Sequence, residues 1–546
     1  MHRGAAAAVL LAAAIALPAP RSRQASAGKE TSAGVTPVQH LVVIFQENES
    51  FDHYFGTYPL AANPPGEPAF NAVPGTPAVN GLGPALLIQN ANLHAPFRVG
   101  RLDQPSCFEN GGYVAEQQAY DRGLVDKFVE QFKYTSGPLV RTPRAFCPED
   151  AGGNRYGAMG YVDGNSVTGL WNYTQQFAMS DNFYGTTFGP STPGAIHLVA
   201  ADTAGVLCGP STTVYGNVPA CWPGDGTPAG SATISAPSSS ERGTLYGDSD
   251  PLWDICSKQD ASTLTAMAGP NIGNLLNAAG VTWGWFQGGF AVDADGRCAS
   301  AHAVEALDRA AGIDPASDTA RTQDYDAHHE AFQYFASTAN PQHLPPLSMA
   351  MVGRTDQANH QYDLSEFGRA LESGTLPAVS FLKAAQYQDG HAGHSDPLDE
   401  QQFLVQTLNE IQSSPIWGST AVFIAWDDSN GYYDHVMPPL VNRSNTPLDD
   451  SCGDSSNGPP IRCGYGPRLP LIVVSPFAKR NYVSHTLTDQ VSIARFIEDN
   501  WLGGRRLTDV SFDNIAGSLV DLFDFSSPAA PGLILDPVSG EPATLP

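Results

Sequence analysis

The stretch His40 to Gly56, HLVVIFQENESFDHYFG, constrains the fold more than any other part of this chain. Leu41 to Phe45 is an unbroken apolar run in which Val42, Val43 and Ile44 are β-branched. Such a run suits a parallel strand covered on both faces. It stops abruptly at a polar turn carrying Glu47, Asn48, Glu49 and Asp52. Open α/β sheets bind ligands beyond the carboxyl ends of their strands, so acidic groups at that edge are candidate site residues. Taken alone, the stretch reads equally well as a strand followed by a helix that Glu47 and Asp52 cap.

A second stretch, Ala421 to His435, repeats the design: AVFIAWDDSNGYYDH is an apolar strand that runs into Asp427 and Asp428 and then a Gly-containing turn. Brought together, the two strand ends offer three carboxylates and the Asn48 amide oxygen. Hard oxygen donors of this kind suit a divalent cation, and without one the carboxylates repel each other.

The ENxSFDHYFG turn, the WDDSxGxYDH strand end and a GPSTPG stretch at Gly189 to Gly194 together resemble the secreted bacterial phosphoesterases that include acid phosphatases and phospholipases C, within the alkaline-phosphatase-like superfamily. The similarity runs from about Val38 to about Trp501, with a weak continuation in LILDP at Leu533 to Pro537. It implies an α/β fold with a largely parallel central sheet, helices on both faces and long loop insertions. It also implies a divalent metal ion, of unspecified identity, held by Glu47, Asn48, Ser191, Asp427 and Asp428. Ser191 matches the family's nucleophile, with Thr192 its nearest rival. His328, His329 and His391 match the histidines that line the phosphate pocket, and Asn48 matches a substrate-binding group. One departure stands out: the family's HxYxxEQ stretch has a histidine where this chain has Asn110-Gly111-Gly112-Tyr113 ahead of Glu116-Gln117. His94, or a rearranged loop held by Cys107, is a candidate to compensate.

Without the resemblance, Ser191 reads as an N-cap with Pro193 in the first turn of its helix, and His328-His329 as a solvated pair. A hydroxyl at a helix start also lies where backbone N–H groups and the helix dipole favour an anion. His391 stands in a Gly-flanked turn after the strand Pro377 to Lys383; His394 follows it. That strand, the amphipathic pattern of Pro397 to Ser413 and the Asp427 strand form a βαβ order, which argues for parallel pairing. Helices are expected over Gly112 to Phe132, Val167 to Met179, Asn271 to Ala279 and Asp489 to Trp501. The Val167 helix leads into Ser180 to Phe183 and a polar turn at Gly185 to Pro190; Val281 to Gln287 and Leu469 to Ser475 read as strands, and Pro59 to Leu87 as a surface loop.

Residues 1–27, with Arg3, an apolar run through Leu17 and Ala25-Ser26-Ala27, read as a secretory signal peptide, so the mature chain is expected to be secreted or periplasmic. Residues 28–37 read as a linker, 38–516 as the catalytic domain with a loop-rich insertion at 204–250, and 517–546 as an extended tail. The insertion is a candidate lid or rim. The eight cysteines imply disulfides in an exported chain, and pairing of neighbours would join Cys107–Cys147, Cys208–Cys221, Cys256–Cys298 and Cys452–Cys463.

With 28 basic against 55 acidic residues the formal charge is -27, which excludes electrostatic binding of nucleic acid and disfavours anionic lipid surfaces. The expected partners are therefore phosphoester small molecules or phospholipid head groups. The acidity tilts the reading towards an acid phosphatase acting through a phosphoserine, with a phospholipase C as the alternative. Protonated pocket histidines imply an acid pH optimum. The third reading, a catalytically weak surface-binding protein that keeps the fold, rests on the histidine missing near Gly111 and on Glu49. No transmembrane segment is expected, and no feature sets the oligomeric state.

Overall fold

The computed structural model describes residues 34–105, 112–132, 145–208, 214–215, 218–219, 234–235, 242–245, 247–257, 264–293, 296, 298, 324–392, 395–441, 463–527 and 531–543. The segment read as a signal peptide, His394, Asn110, Gly111 and Cys107, Cys221 and Cys452 lie outside them.

The apolar runs form one sheet whose strands are β1 (His40–Gln46), β2 (Ala178–Tyr184), β3 (Trp283–Gln287), β4 (Gln361–Asp363), β5 (Val379–Lys383), β6 (Thr420–Trp426), β7 (Arg468–Val474), β8 (Tyr482–Ser484) and β9 (Thr488–Asp489). Their order is β4-β3-β5-β1-β6-β7-β2-β8, with β9 also on β2. β1 lies between β5 and β6 and is parallel to both. The βαβ expectation thus holds for direction, with β1 inserted between its two strands. Only β7 runs antiparallel to its neighbours, β6 and β2. Every residue of β5, β6 and β7 is buried, as strands covered on both faces require.

The principal helices are α1 (Phe51–Phe55), α2 (Tyr113–Tyr120), α3 (Thr168–Gln176), α4 (Ser191–Ala200), α5 (Ile272–Ala279), α6 (Leu364–Ser373), α7 (Pro397–Ser413) and α8 (Val491–Trp501). α3 packs with α7, and α4 packs with α5 and α8. α7 starts in a capping box, in which the Asp396 side chain accepts from the Leu398 and Asp399 N–H groups.

Four expectations change. The helix from Val167 ends at Gln176, and Ser180–Phe183, for which no strand was expected, is part of β2. Its polar side chains are tolerated because Asp181 is hydrogen-bonded by Asn80 N and His485. The helix over Gly112 to Phe132 breaks after Tyr120, where Asp121, Arg122 and Val125 take positive φ. The region 204–250 is not structureless: Ala204–Cys208, Arg242–Leu245 and Ile234–Ser235 join Leu264–Met267 and Asp250–Pro251 in a separate five-stranded sheet. Finally, the segment after residue 517 is no loose tail, since Leu519, Leu522, Phe523 and Leu535 are buried in the main core. Cys256 bonds Cys298 as the neighbour pairing has it; Cys147 and Cys463 are disulfide-bonded as well.

Candidate active site at the strand ends

Three adjacent parallel strands end at one edge of the sheet. β1 and β6 run in register, with Gln46 opposite Trp426, so their next residues emerge side by side. The Asp427 N–H donates to the Gln46 carbonyl at 3.1 Å, which seats Asp427 and Asp428 beside Glu47 and Asn48. β5 ends on the other side of β1 with Lys383. The capping reading of Glu47 and Asp52 fails. Ser50 caps α1, accepting from the His53 N–H, while Asp52 pairs with Arg468 at 3.0 Å and His435 at 2.6 Å.

α4 brings the hydroxyl. Pro190 is its N-cap, and the side chain of Ser191, in the first turn, makes no capping bond. Instead Ser191 Oγ lies 2.9 Å from Asp428 Oδ2, 3.2 Å from Glu47 Oε2 and 3.3 Å from Asn48 Oδ1. Thr192 faces elsewhere: its N–H donates to Asp248 Oδ1 at 3.0 Å and its Oγ1 accepts from Ser249 N. α4 approaches β6 so closely that a Cβ on Gly194 would stand 2.1 Å from the Asp427 carbonyl oxygen. Glycine is required there for contact, not for an unusual φ.

A hydroxyl has one hydrogen, yet three acceptor oxygens surround Ser191 Oγ within 3.3 Å. One hydrogen bond satisfies one of them and leaves the others as a lone-pair cluster. Oxygens about 3 Å apart are spaced as neighbouring ligands of a small divalent cation whose metal–oxygen bonds are about 2.0–2.3 Å. The residues present therefore fit the group that the resemblance implies. The charge pattern agrees. Burial and Glu47 push Asp428 up to about 8 and Asp427 well above the carboxylate range. Burial alone would raise Glu47 too, but His329 and Lys383 more than offset it and hold that carboxyl well below its usual range. Ligand atoms of Glu47, His329 and Asp427 also lie within 4.8 Å of one another, as do those of Asp326, His328 and His329.

The histidines divide. His329 Nε2 stands 2.9 Å from Glu47 Oε1, and burial lowers its pKa to about 4, so its imidazole is neutral at pH 7. His328 Nδ1 pairs with Asp326 at 2.6 Å; against the cost of burial, Asp326 and then Asp248 raise it to about 10, which keeps it an imidazolium. Neither titrates between pH 5 and 9, so the argument for an acid optimum from these two groups falls away. His391 sits in a turn whose Asp389 carbonyl accepts from the Glu47 N–H at 3.0 Å, and its ring bonds the Ala392 carbonyl. The turn thus borders the site, and that ring bond is local. His94 does not stand in for the family histidine: it pairs with Asp150 at 3.0 Å and stacks on Tyr156.

Several site residues escaped the sequence reading. Lys383 contacts Glu47 Oε1 and lies 3.2 Å from Asp427 Oδ2. Its signal was a lysine closing an apolar strand. Glu116 accepts from the Gly189 N–H at 2.8 Å and the Ser429 hydroxyl at 2.7 Å, bracing the turns that precede Ser191 and follow Asp428. It belongs to the Glu116-Gln117 pair already noted, although its role is visible only in the fold. Asp326, two residues before the histidine pair, and Asp248, in a stretch without periodicity, carried no usable pattern.

A strand-end oxygen cluster with a hydroxyl at a helix start and an imidazolium alongside defines an α/β hydrolase site suited to anionic esters. Residues 38–502 match the model of the phosphoesterase family, and the chain belongs to that family of phosphoric ester hydrolases. Among curated relatives, the non-hemolytic phospholipase C of Burkholderia pseudomallei is 25% identical over 95% of this chain and 63% of its own length. The hemolytic phospholipase C of Pseudomonas aeruginosa is 24% identical over 90% of this chain and 56% of the relative. Phospholipase C A of Mycobacterium tuberculosis is 22% identical over 90% of this chain and 78% of the relative. The chain thus spans about six-tenths of the first two relatives. Among solved structures, murine ectonucleotide pyrophosphatase/phosphodiesterase 5 matches 66% of this chain and 95% of its own at 10% identity and a TM-score of 0.29, too slight a likeness to argue from.

Proposed function

We propose that the protein hydrolyses phosphoric esters at this site through a covalent phosphoserine on Ser191, and that phosphodiesters of the phospholipase C kind are its substrates. The observation that carries the reaction is the placement of Ser191 Oγ among Glu47 Oε2, Asn48 Oδ1 and Asp428 Oδ2. The names of the relatives support the diester over the monoester that composition favoured. The charge of -27 disfavours anionic lipid surfaces and leaves zwitterionic head groups open.

A divalent cation held by Glu47, Asn48, Ser191, Asp427 and Asp428 would polarise a phosphoryl oxygen and make the serine hydroxyl more acidic. The Ser191 proton moves towards Asp428 Oδ2, 2.9 Å away, as its oxygen forms a bond to phosphorus. The imidazolium of His328 donates to the equatorial phosphoryl oxygens and compensates their charge. The ester oxygen leaves as the alcohol with a proton from the His328 imidazolium. Water then attacks phosphorus from the vacated side, giving one proton back to His328 and releasing the phosphomonoester, while Asp428 returns its proton to the Ser191 oxygen. His329 and the His391 turn keep Glu47 oriented. The disulfides, Cys256–Cys298 among them, support an oxidising, extracytoplasmic compartment. No helix of the described residues is long and apolar enough to cross a membrane.

The test sets a chromogenic phosphocholine diester beside the phosphomonoester p-nitrophenyl phosphate, with and without chelator. Diester turnover that chelator abolishes, with phosphoserine trapped at residue 191, is the expected result. Preference for the monoester returns the assignment to a phosphatase, and turnover insensitive to chelator overturns the metal-dependent reading.

A further inference from the structure

Glu47 points its two carboxylate oxygens in different directions. Oε2 faces Ser191 Oγ, while Oε1 faces the ammonium of Lys383 and the His329 ring. Asp427 joins the second direction: its Oδ2 lies 3.2 Å from Lys383 Nζ, and its Oδ1 accepts from the Asp428 N–H. Phosphoryl-transfer sites with two metals hold their ions about 3.5–4 Å apart, often across a shared carboxylate. Glu47 has the form of such a shared carboxylate, but a side chain of the protein itself occupies one of its two cation positions.

We propose that Lys383 is a built-in second cation, a positioning residue whose ammonium fills the place of a second metal and limits the site to one divalent ion. This inference rests on the metal-dependent reading above. Lys383 is 1% exposed, and its ammonium is held by Asp427 and Glu47 with Asp389 adding to the attraction. Within this cluster Glu47, Asp427 and Asp428, ionised around a cation, contribute three negative charges, against one positive on Lys383 and two on a divalent ion. A second divalent ion would leave the buried site with excess positive charge, which low-dielectric surroundings penalise. Asp427 Oδ2 faces the lysine, and Asp428 Oδ2 faces Ser191 at the metal position.

The test is to strip the full chain with chelator, titrate Mn2+ and count bound ions by electron paramagnetic resonance at pH 8. The unmodified chain saturates at one equivalent. Lys383→Ala, which removes the ammonium and opens space between Glu47 Oε1 and Asp427 Oδ2, takes up a second. Lys383→Met fills that space without charge, guarding against a folding defect from a cavity. It stays at one equivalent and binds it at least about tenfold more tightly, because a neighbouring positive charge has gone. A purely structural lysine predicts weaker binding in both variants. Two equivalents in the unmodified chain, a Lys383→Ala variant that stays at one, or equal or weaker affinity in Lys383→Met overturns the role of Lys383. An unmodified chain that binds no Mn2+ overturns the metal-dependent reading itself.

Discussion

Ser191 and Thr192 are neighbours with the same functional group, and the geometry gives them separate work. Ser191 Oγ is surrounded by the oxygen cluster; Thr192 is tied to Asp248 and Ser249. Ser191→Ala should therefore lower kcat by at least about a thousandfold, as removal of a nucleophile does, whereas Thr192→Ala should stay within roughly tenfold of the parent. Steady-state kinetics on either ester class checks this, and equal losses would refute the assignment. His328 gives a second test. Its pKa is raised to about 10 by Asp326 and Asp248 against the cost of burial. Its charge is thus present below that value and lost above it. Asp326→Asn should bring the loss of activity on the alkaline side down towards neutral pH, read from a pH–rate profile. The candidate oxygen donors Glu47, Asn48, Asp427 and Asp428 were legible in the sequence because each pair follows an apolar run that reads as a strand. Lys383 was equally visible, but its meaning depends on which strand lies beside β5, and chain order does not state that.

At the scale of elements, the contact of α4 with β6 sets the distance between the hydroxyl and the carboxylates. A Cβ at position 194 would stand 2.1 Å from the Asp427 carbonyl, which cannot rotate away as a side chain can. Gly194→Ala should destabilise the fold by about 1–3 kcal/mol, the usual cost of overpacking, and reduce kcat at least tenfold. Denaturant unfolding and kinetics read the two effects separately. Glu116 acts across elements as well, holding Gly189 and Ser429 from α2. The sequence placed α2 and α4 approximately. It missed the strand at 180–183 because β2 carries Ser180, Asp181 and Asn182, polar residues that only their partners on other segments make acceptable in a strand. The same limit applied to 204–250, whose short strands show no period of their own.

For the whole molecule, buried neutral histidines favour unfolding in acid, while carboxyls that burial raises, such as Glu400 to about 8 and Asp489 to about 6, act in the opposite direction. Burial lowers His53 and His197 to about 3 and His360 to about 4. Between those values and the ordinary 6.5, the unfolded chain binds protons that the folded chain refuses, so stability is present above 6.5 and lost as pH falls. Each histidine contributes a slope of up to about 1.4 kcal/mol per pH unit. The histidine contribution is read by difference: in thermal melts from pH 7.5 to 4.5 the parent should lose more stability with acid, relative to His197→Gln, as pH falls below 6.5. A difference between the two that does not change with pH would contradict the burial of a neutral His197. The C-terminal segment belongs to the same scale. Deleting 517–546 exposes partners of Leu519, Leu522, Phe523 and Leu535, so the truncated chain should lose on the order of 5 kcal/mol or more. Unchanged unfolding would show the tail to be dispensable.

Chemical type was thus encoded locally: apolar strand runs ending in carboxylates, a serine before a helix and a histidine pair each announce themselves in a few consecutive residues. Those patterns, with the resemblance they carried, determined the fold class and the oxygen-donor set. Tertiary structure alone decided which hydroxyl enters the cluster, which carboxylate faces Lys383, and which histidine is charged. Those outcomes depend on distances of about 3 Å between residues up to several hundred positions apart, and on burial that shifts proton affinities. Neither quantity exists until the strands have paired.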